Sequence, residues 1–184
     1  RVAVLRERRA AETRVAATPE TGTKLIGLGN TVAVEAGAGL ASGIPDSAYA
    51  EAGAEIAADP GAALAGAGIV LAVRAPEAAE LAKIPRGALL IGTLQADAAA
   101  AKAYADAGID ACSMELLPRI TRAQSMDVLS SQANLAGYRA VIEAAEAFDR
   151  GFPMLMTAAG TIPAASVFIM GAGVAGLQAI ATAR

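Results

Sequence analysis

The chain has 184 residues, of which 55% are hydrophobic and 18% charged, and this composition excludes a disordered protein. Its net charge of -3 provides no basic field to neutralise phosphate backbones, which excludes nucleic acid as an expected partner. The sequence contains no histidine and one cysteine, Cys112, so zinc sites, Ser/His or Cys/His nucleophile pairs and an internal disulfide are not expected.

Short apolar runs alternate with helical segments through most of the chain. The first run is VAVLR, and it precedes a helix in which Thr18 is the N-cap and Pro19 the first residue. Further strands are predicted at NTVAVEAG, IVLAVR, GALLIGTL and IDACSME, and further helices at PDSAYAEAG, DPGAALAGAG, PEAAELAKI and ADAAAAKAYADAG. This alternation predicts right-handed βαβ units. We expect an α/β domain with a parallel sheet, of Rossmann or flavodoxin-like type, over residues 1–127.

A polar stretch, PRITRAQSMD at 118–127, interrupts the aliphatic chain directly after the IDACSME strand. It is therefore expected at the carboxyl end of a strand, where open α/β sheets bind ligands. A helix is predicted next, over 128–148, long enough at roughly 30 Å to bridge two domains. Apolar residues form a stripe along it at spacings of three and four. The stripe consists of Leu135, Tyr138, Ile142, Ala145 and Phe148.

The last segment, 149–184, carries no charged residue between Arg150 and Arg184, which raises the alternative of a membrane span. Prolines and glycines interrupt the apolar run, however, and the residues SVFIM are of the type that forms strands. We therefore expect a linker, one strand, a glycine turn and a helix, with no direct membrane span in this segment.

The glycine turn matches a dinucleotide-binding pattern. The tripeptide GAG occurs three times, but only GAGVAG follows a predicted strand and precedes a predicted helix as G-x-G-x-x-G. Gly171 would permit the tight turn, Gly173 the approach of a pyrophosphate, and Gly176 close helix packing. A glycine-rich turn without a ligand is the alternative. The acidic ribose ligand of such domains would fall beyond Arg184, so the sequence is expected to be a fragment ending inside a second, truncated Rossmann NAD-binding domain.

Blocks of sequence that cover essentially the whole chain resemble a known family. The blocks are ERRAAETRVAATPE, VAVEAGAGLASGI, MELLPRITRAQSMDVLSSQANLAGYRAVIEAA, FPMLMTAAGTIPAA and GAGVAGLQAIATAR. In them the chain resembles domain I, the NAD(H)-binding component or alpha subunit of proton-translocating NAD(P) transhydrogenase, and more distantly alanine dehydrogenase.

The resemblance implies which residues contact NAD(H). The implied contacts, in chain order, are Arg119, Ile120, Thr121, Gln124, Asp127, Ser130, Gly171, Gly173, Val174 and Gly176. Of these, Arg119, Gln124 and Asp127 would position the nicotinamide end. An amide such as Gln124 supplies both the donor and the acceptor that a carboxamide needs. None of the three is expected to act as an acid or base.

The resemblance also implies a reaction and an assembly. The reaction is hydride transfer from NADH to NADP⁺, coupled to proton movement across a membrane. The implied partners are an NADP(H)-binding domain and a membrane domain, with the component itself a homodimer on the cytoplasmic side, peripheral to the inner or plasma membrane. The fragment alone is not expected to be active.

Two alternatives to this function stay open. Arg14 and Arg74 match positions where alanine dehydrogenases hold the pyruvate carboxylate, which would suit an NAD-dependent amino acid dehydrogenase. Against it, Gln95 stands where that family has its catalytic histidine, and oxidative deamination needs a general base. Direct hydride transfer needs none, so we expect Arg14 and Arg74 to be structural. The other alternative is a non-catalytic NAD-binding module.

Ordinary structural roles compete with the functional ones at four further positions. Asp127 suits the N-cap of the helix that follows it, a role compatible with ligand binding. Arg122 is expected to be a solvated loop residue and Tyr138 a packing residue. Cys112 is expected to be a small buried hydrophobe.

Overall fold

The computed structural model describes all residues, 1–184, which form two compact units, Arg1–Pro118 and Arg119–Arg184. The predicted division into a domain over 1–127, a bridging helix over 128–148 and the start of a second domain over 149–184 stays a prediction. None of the helices is both long enough and apolar enough to cross a membrane.

Six parallel strands form the sheet of the first unit. In chain order they are β1 (Val2–Val4), β2 (Val32–Glu35), β3 (Glu55–Ala57), β4 (Ile69–Arg74), β5 (Leu89–Thr93) and β6 (Asp110–Ser113). Their spatial order is β3-β2-β1-β4-β5-β6, and every neighbouring pair is parallel. This is the doubly wound order of Rossmann folds, in which the order reverses between β1 and β4. The predicted α/β parallel-sheet fold is confirmed.

Short helices connect the strands. They are α1 (Pro19–Gly27), α2 (Asp46–Glu51), α3 (Pro60–Leu64), α4 (Ala78–Leu81) and α5 (Ala98–Ala107). The Thr18 hydroxyl accepts a hydrogen bond from the Thr21 N–H, and Pro19 is the first helical residue, as predicted from the sequence. Asp59 and Asp97 cap α3 and α5 in the same way, which satisfies N–H groups that have no partner inside the helix.

Both faces of the sheet are buried. In β1 and the residue after it, side chains alternate between the two faces. Val2 and Val4 belong to one hydrophobic cluster, whereas Ala3 and Leu5 belong to the other. A parallel sheet covered on both sides explains why the strands read as continuous apolar runs.

Two features of the first unit differ from the sequence predictions. The edge strand β3 was missed, because it has three residues and is partly exposed, which leaves no apolar run to detect. Cys112 is exposed, so the prediction of a buried cysteine was wrong. It lies in β6, the strand at the opposite edge of the sheet, where a strand has only one neighbour to cover it.

The second unit contains four elements: α6 (Val128–Ala147), β7 (Leu155–Thr157), β8 (Gly160–Ile162) and α7 (Val174–Thr182). The two predicted helices are confirmed. The antiparallel hairpin of β7 and β8 was missed within the expected linker. The strand predicted at SVFIM is not formed, since residues 163–172 have no regular secondary structure. A strand needs a neighbour to pair its N–H and C=O groups, and the hairpin strands pair only with each other.

The buried face of α6 is not its apolar stripe. Leu135 is 60% exposed and Tyr138 is 49% exposed, so the packing role expected for Tyr138 was wrong. The buried residues are Gly137 and Val141. Helix α6 packs against α7, and at Gly137 the partner is the backbone of Ala175. Small residues therefore form this helix contact.

Candidate functional site

The carboxyl ends of β1 and β4 meet at the switch point of the first unit, where Rossmann folds bind nucleotides. The crevice there is lined by 5–9 and by residues in and after β4, with α4 alongside. Its cavity volume is about 10 Å³, room for at most one water molecule. The protein's own side chains therefore fill this crevice.

Carboxylates bind the backbone N–H groups at these strand ends. The Arg6 N–H donates to Glu35 Oε2 at 3.0 Å. The N–H groups of Val73 and Arg74 donate to the two oxygens of Glu7 at 2.6 and 3.2 Å. Backbone N–H groups in such loops hold phosphate oxygens in nucleotide-binding sheets. Here internal anions occupy them.

Arg8 neutralises the acidic groups in this crevice. Its guanidinium contacts Glu35 Oε1 at 2.5 Å and Glu80 Oε1 at 2.6 Å. Both glutamates are buried. Burial raises the pKa of Glu80, and the charge of Arg8 opposes that rise. Burial likewise raises the pKa of Glu7, against the two backbone hydrogen bonds that it accepts.

The arginine and glutamine relevant to an amino acid dehydrogenase also lie in the first unit. Arg14 Nε and Nη2 donate to the carboxylate of Glu12 at 2.7 and 2.6 Å, and this pairing lowers the pKa of Glu12. Arg14 thus has the structural partner expected from the sequence. Gln95 adopts a left-handed φ of 56° and its side-chain oxygen lies 3.5 Å from Arg9 Nη2.

The polar loop of residues 119–127 lies in the second unit. A 3-10 turn spans Thr121–Met126, and Ala123 is buried beneath it. Arg119, Ile120, Thr121 and Gln124 are exposed. The loop therefore presents a guanidinium and an amide to solvent on a turn anchored by one alanine.

Asp127 caps α6. Its Oδ1 accepts from the Ser130 N–H at 2.9 Å, and its Oδ2 accepts from the Ser130 hydroxyl at 2.6 Å. The hydrogen bond from the Ser130 hydroxyl is the main cause that lowers the pKa of Asp127, and the charge of Arg119 adds a smaller effect. The predicted N-cap is confirmed. The carboxylate remains ionised at neutral pH and is only half-buried, so it can still accept hydrogen bonds from a ligand.

The glycine turn of residues 171–173 precedes α7. Gly171 has a φ of +103°, a conformation that only glycine adopts without strain. Gly173 is the N-cap residue, and no side chain caps the helix. The first N–H groups of a helix have no partner within it, and the helix dipole makes this end attractive to anions. The residues present therefore fit a pyrophosphate.

Gly173 and Gly176 have different surroundings. Nothing lies within 4 Å of a Cβ built on Gly173, so the space that a ligand would use is open. A Cβ on Gly176 would overlap the Gly171 carbonyl oxygen and lie 2.9 Å from its carbon. Gly176 thus permits the turn to fold back on the helix, whereas Gly173 leaves one side of the helix N-terminus accessible.

Sequence reasoning singled out the 119–127 loop and the glycine turn, and both lie within Arg119–Arg184. It missed the carboxylates Glu7 and Glu35 and the arginine between them. The signal that could have found them is the acidic residue at the end of a buried strand, Glu35 in VAVE, since a buried charge requires a partner.

Comparisons with known proteins agree with this arrangement. The family model "Alanine dehydrogenase/PNT, N-terminal domain" matches residues 3–136, and "Alanine dehydrogenase/PNT, C-terminal domain" matches 140–184. The first of the separate polypeptides that make up NAD(P) transhydrogenase subunit alpha in Rhodospirillum rubrum is 52% identical over all of this chain and 50% of its own length.

One solved structure and one further relative are informative. The crystal structure of transhydrogenase from Sinorhizobium meliloti superposes with a TM-score of 0.93 at 54% identity, over 99% of this chain and 55% of that one. Alanine dehydrogenase of Bacillus subtilis is 33% identical over 91% of this chain and 45% of its own length. The chain spans about half the length of these relatives.

The two glycines of the turn should respond differently to alanine. Gly176→Ala should lower the free energy of unfolding by about 2 kcal/mol, because its methyl overlaps backbone. Gly173→Ala should cost less than about 1 kcal/mol, since its φ of -78° suits alanine and its surroundings are open. Thermal and urea unfolding of the full-length proteins would measure both. Equal losses would contradict the geometry described for the turn.

Arg8→Met should lower the free energy of unfolding by about 3 kcal/mol at pH 7, because it leaves buried carboxylates without a counter-charge. The folded-state pKa of Glu80 already lies above its ordinary value. The folded protein therefore binds the extra proton first, and the deficit should shrink as the pH falls below neutral.

The matched control is Arg139→Met, which breaks an exposed pair with Glu143 and should have little effect. Urea denaturation of the full-length proteins at several pH values is the measurement. A deficit for Arg8→Met that does not change with pH would contradict the role given to Glu80.

Proposed function

The chain belongs to the alanine dehydrogenase/PNT family, and from that premise we propose that it is part of the NAD(H)-binding component of a proton-translocating NAD(P) transhydrogenase. The observation that carries the proposal is the pair of open binding elements within residues 119–184. One is the glycine turn before an uncapped helix, and the other is the exposed polar loop that ends at Asp127.

On this proposal the glycine turn holds the pyrophosphate of NAD(H). The N–H groups that follow Gly173 donate to phosphate oxygens, and Val174 and Gly176 belong to the same first turn. The absence of a side-chain cap on α7 supports this role, because an anionic ligand then supplies the missing acceptors.

The 119–127 loop holds the nicotinamide end. Gln124 donates to and accepts from the carboxamide and so fixes the rotation of the ring. Arg119 donates to carboxamide or ribose oxygens. Asp127 accepts from a ribose hydroxyl while its other interactions with Ser130 keep the carboxylate oriented. Ile120 and Thr121 line the same loop.

The nicotinamide of bound NADH supplies the hydride, and the protein's contribution is to position the ring. Correct orientation of reacting groups is the largest effect available to a protein in such a transfer. No side chain has to add or remove a proton at the reacting carbon. This matches a chain with no histidine, in which the position corresponding to a catalytic histidine is Gln95.

The filled crevice of the first unit supports assigning the dinucleotide to the second. Its N–H groups at the ends of β1 and β4 already bind Glu35 and Glu7. The cavity of about 10 Å³ is far below the roughly 300 Å³ or more of ligand pockets. It also leaves no room for the pyruvate of an amino acid dehydrogenase in this conformation.

The remaining features of the proposal concern the assembly. The hydride acceptor is NADP⁺ on a partner domain, and proton movement belongs to a membrane domain. The component is a homodimer on the cytoplasmic side of the membrane, held there by its partners. Its similarity to one polypeptide of the divided alpha subunit of Rhodospirillum rubrum supports an enzyme made of several components, so the residues present here would not be active alone.

The function is tested by mixing the full-length protein with a transhydrogenase NADP(H)-binding domain. We expect oxidation of NADH in step with formation of NADPH, and Gly173→Ala should weaken NADH binding although the protein stays folded. Formation of pyruvate from L-alanine with NAD⁺ would contradict the proposal in favour of an amino acid dehydrogenase. Binding of NADH without either reaction would favour the non-catalytic module.

Gln124→Asn should slow hydride transfer more than it weakens NADH binding. The shorter side chain keeps the amide but moves it by one methylene, so the loss is one of ring orientation. Single-turnover transfer rates and equilibrium NADH affinities would measure the two effects separately. Arg122→Gln, in the same loop and equally exposed, is the control and should change neither. A Gln124→Asn defect confined to affinity would count against the orienting role.

A further inference from the structure

The contact between α6 and α7 depends on Gly137. This glycine is buried in the interior of α6. A Cβ built on it would overlap the carbonyl oxygen of Ala175 and lie 2.9 Å from its carbonyl carbon and 3.0 Å from its Cα. All three atoms belong to the backbone, which cannot move aside as a side chain can. Any larger residue at position 137 therefore pushes the two helices apart.

Glycine weakens the interior of a helix, so its presence there requires a reason. Elsewhere α6 is built largely from alanine, leucine and other good helix formers. The reason at Gly137 is the close approach of α7, which the two helices achieve with small residues. Val141 and Ala179, the other buried residues of α6 and α7, lie one turn further along each helix.

The contact joins the two segments assigned to the dinucleotide. Asp127, at the end of the 119–127 loop, caps the first turn of α6, and Gly137 lies ten residues later, about 15 Å along the helix. Ala175 lies two residues after Gly173, the N-cap of α7. A rigid helix thus runs from the loop to a backbone contact directly behind the glycine turn.

We propose that Gly137 is a positioning residue that sets the spacing between the 119–127 loop and the glycine turn, so that both ends of one dinucleotide are held together. This inference rests on the proposed function, because it takes NAD(H) as the shared ligand. A shift of α7 leaves each binding element intact by itself. It costs affinity only for a ligand that reaches both of them.

The test compares two ligands in the full-length protein. NADH carries the pyrophosphate and the nicotinamide, whereas ADP-ribose lacks the nicotinamide and cannot report on the loop. In Gly137→Ala we expect NADH affinity to fall by about tenfold or more while ADP-ribose affinity changes by less than about twofold. Calorimetric titration measures both affinities, independently of any hydride transfer.

The control is Gly22→Ala, in the interior of α1, where nothing lies within 4 Å of the added Cβ. It should leave both affinities unchanged. An equal loss of both ligands in Gly137→Ala, or no loss of either, would overturn the positioning role. If the parent protein itself bound neither ligand, the proposed function would fail instead, so the two failures can be told apart.

A second variant covers the case in which Gly137→Ala does not fold, as judged by circular dichroism. Ala179→Val enlarges the buried residue of α7 one turn from Ala175 and separates the same helix pair with a side chain instead of against backbone. The same preference for losing NADH over ADP-ribose is expected, with a smaller magnitude. Unselective loss or unchanged binding in this variant would overturn the inference.

Discussion

The structure depends on one constraint, which is that backbone N–H groups at the ends of buried parallel strands need acceptors. In the first unit these acceptors are the carboxylates of Glu7 and Glu35, and Arg8 neutralises the buried charge that results. The sheet has the strand order of a nucleotide-binding fold. Its switch point nevertheless has its anion-binding groups satisfied from within, so fold alone misidentifies the ligand site.

The second unit presents the opposite situation. The N-terminus of α7 has no side-chain acceptor, and the 119–127 loop exposes Arg119 and Gln124. Unsatisfied donors and exposed polar groups within one compact unit are what an anionic, hydrogen-bonding ligand requires. We infer that the two units differ in function because one has closed its donors internally and the other has kept them open.

Sequence predicted the parallel sheet, most of its strands, the caps at Thr18 and Asp127, and the two segments proposed to bind the dinucleotide. It failed where the information is not local. The strand expected at SVFIM lacks a pairing partner, and the edge strand β3 is too short and too exposed to show a pattern. The apolar stripe of α6 suggested the wrong buried face, because Gly137 packs through its missing side chain. The partners of Glu35 and Glu80 lie far apart in sequence and become visible only in three dimensions.

The most direct test of the division between the units is amide hydrogen exchange of the full-length protein with and without NADH. We expect slower exchange at residues 173–176 and 120–127, with no change at Arg6, Val73 and Arg74, whose N–H groups the protein already satisfies. Protection at those three amides, together with unchanged exchange at the glycine turn, would contradict this division.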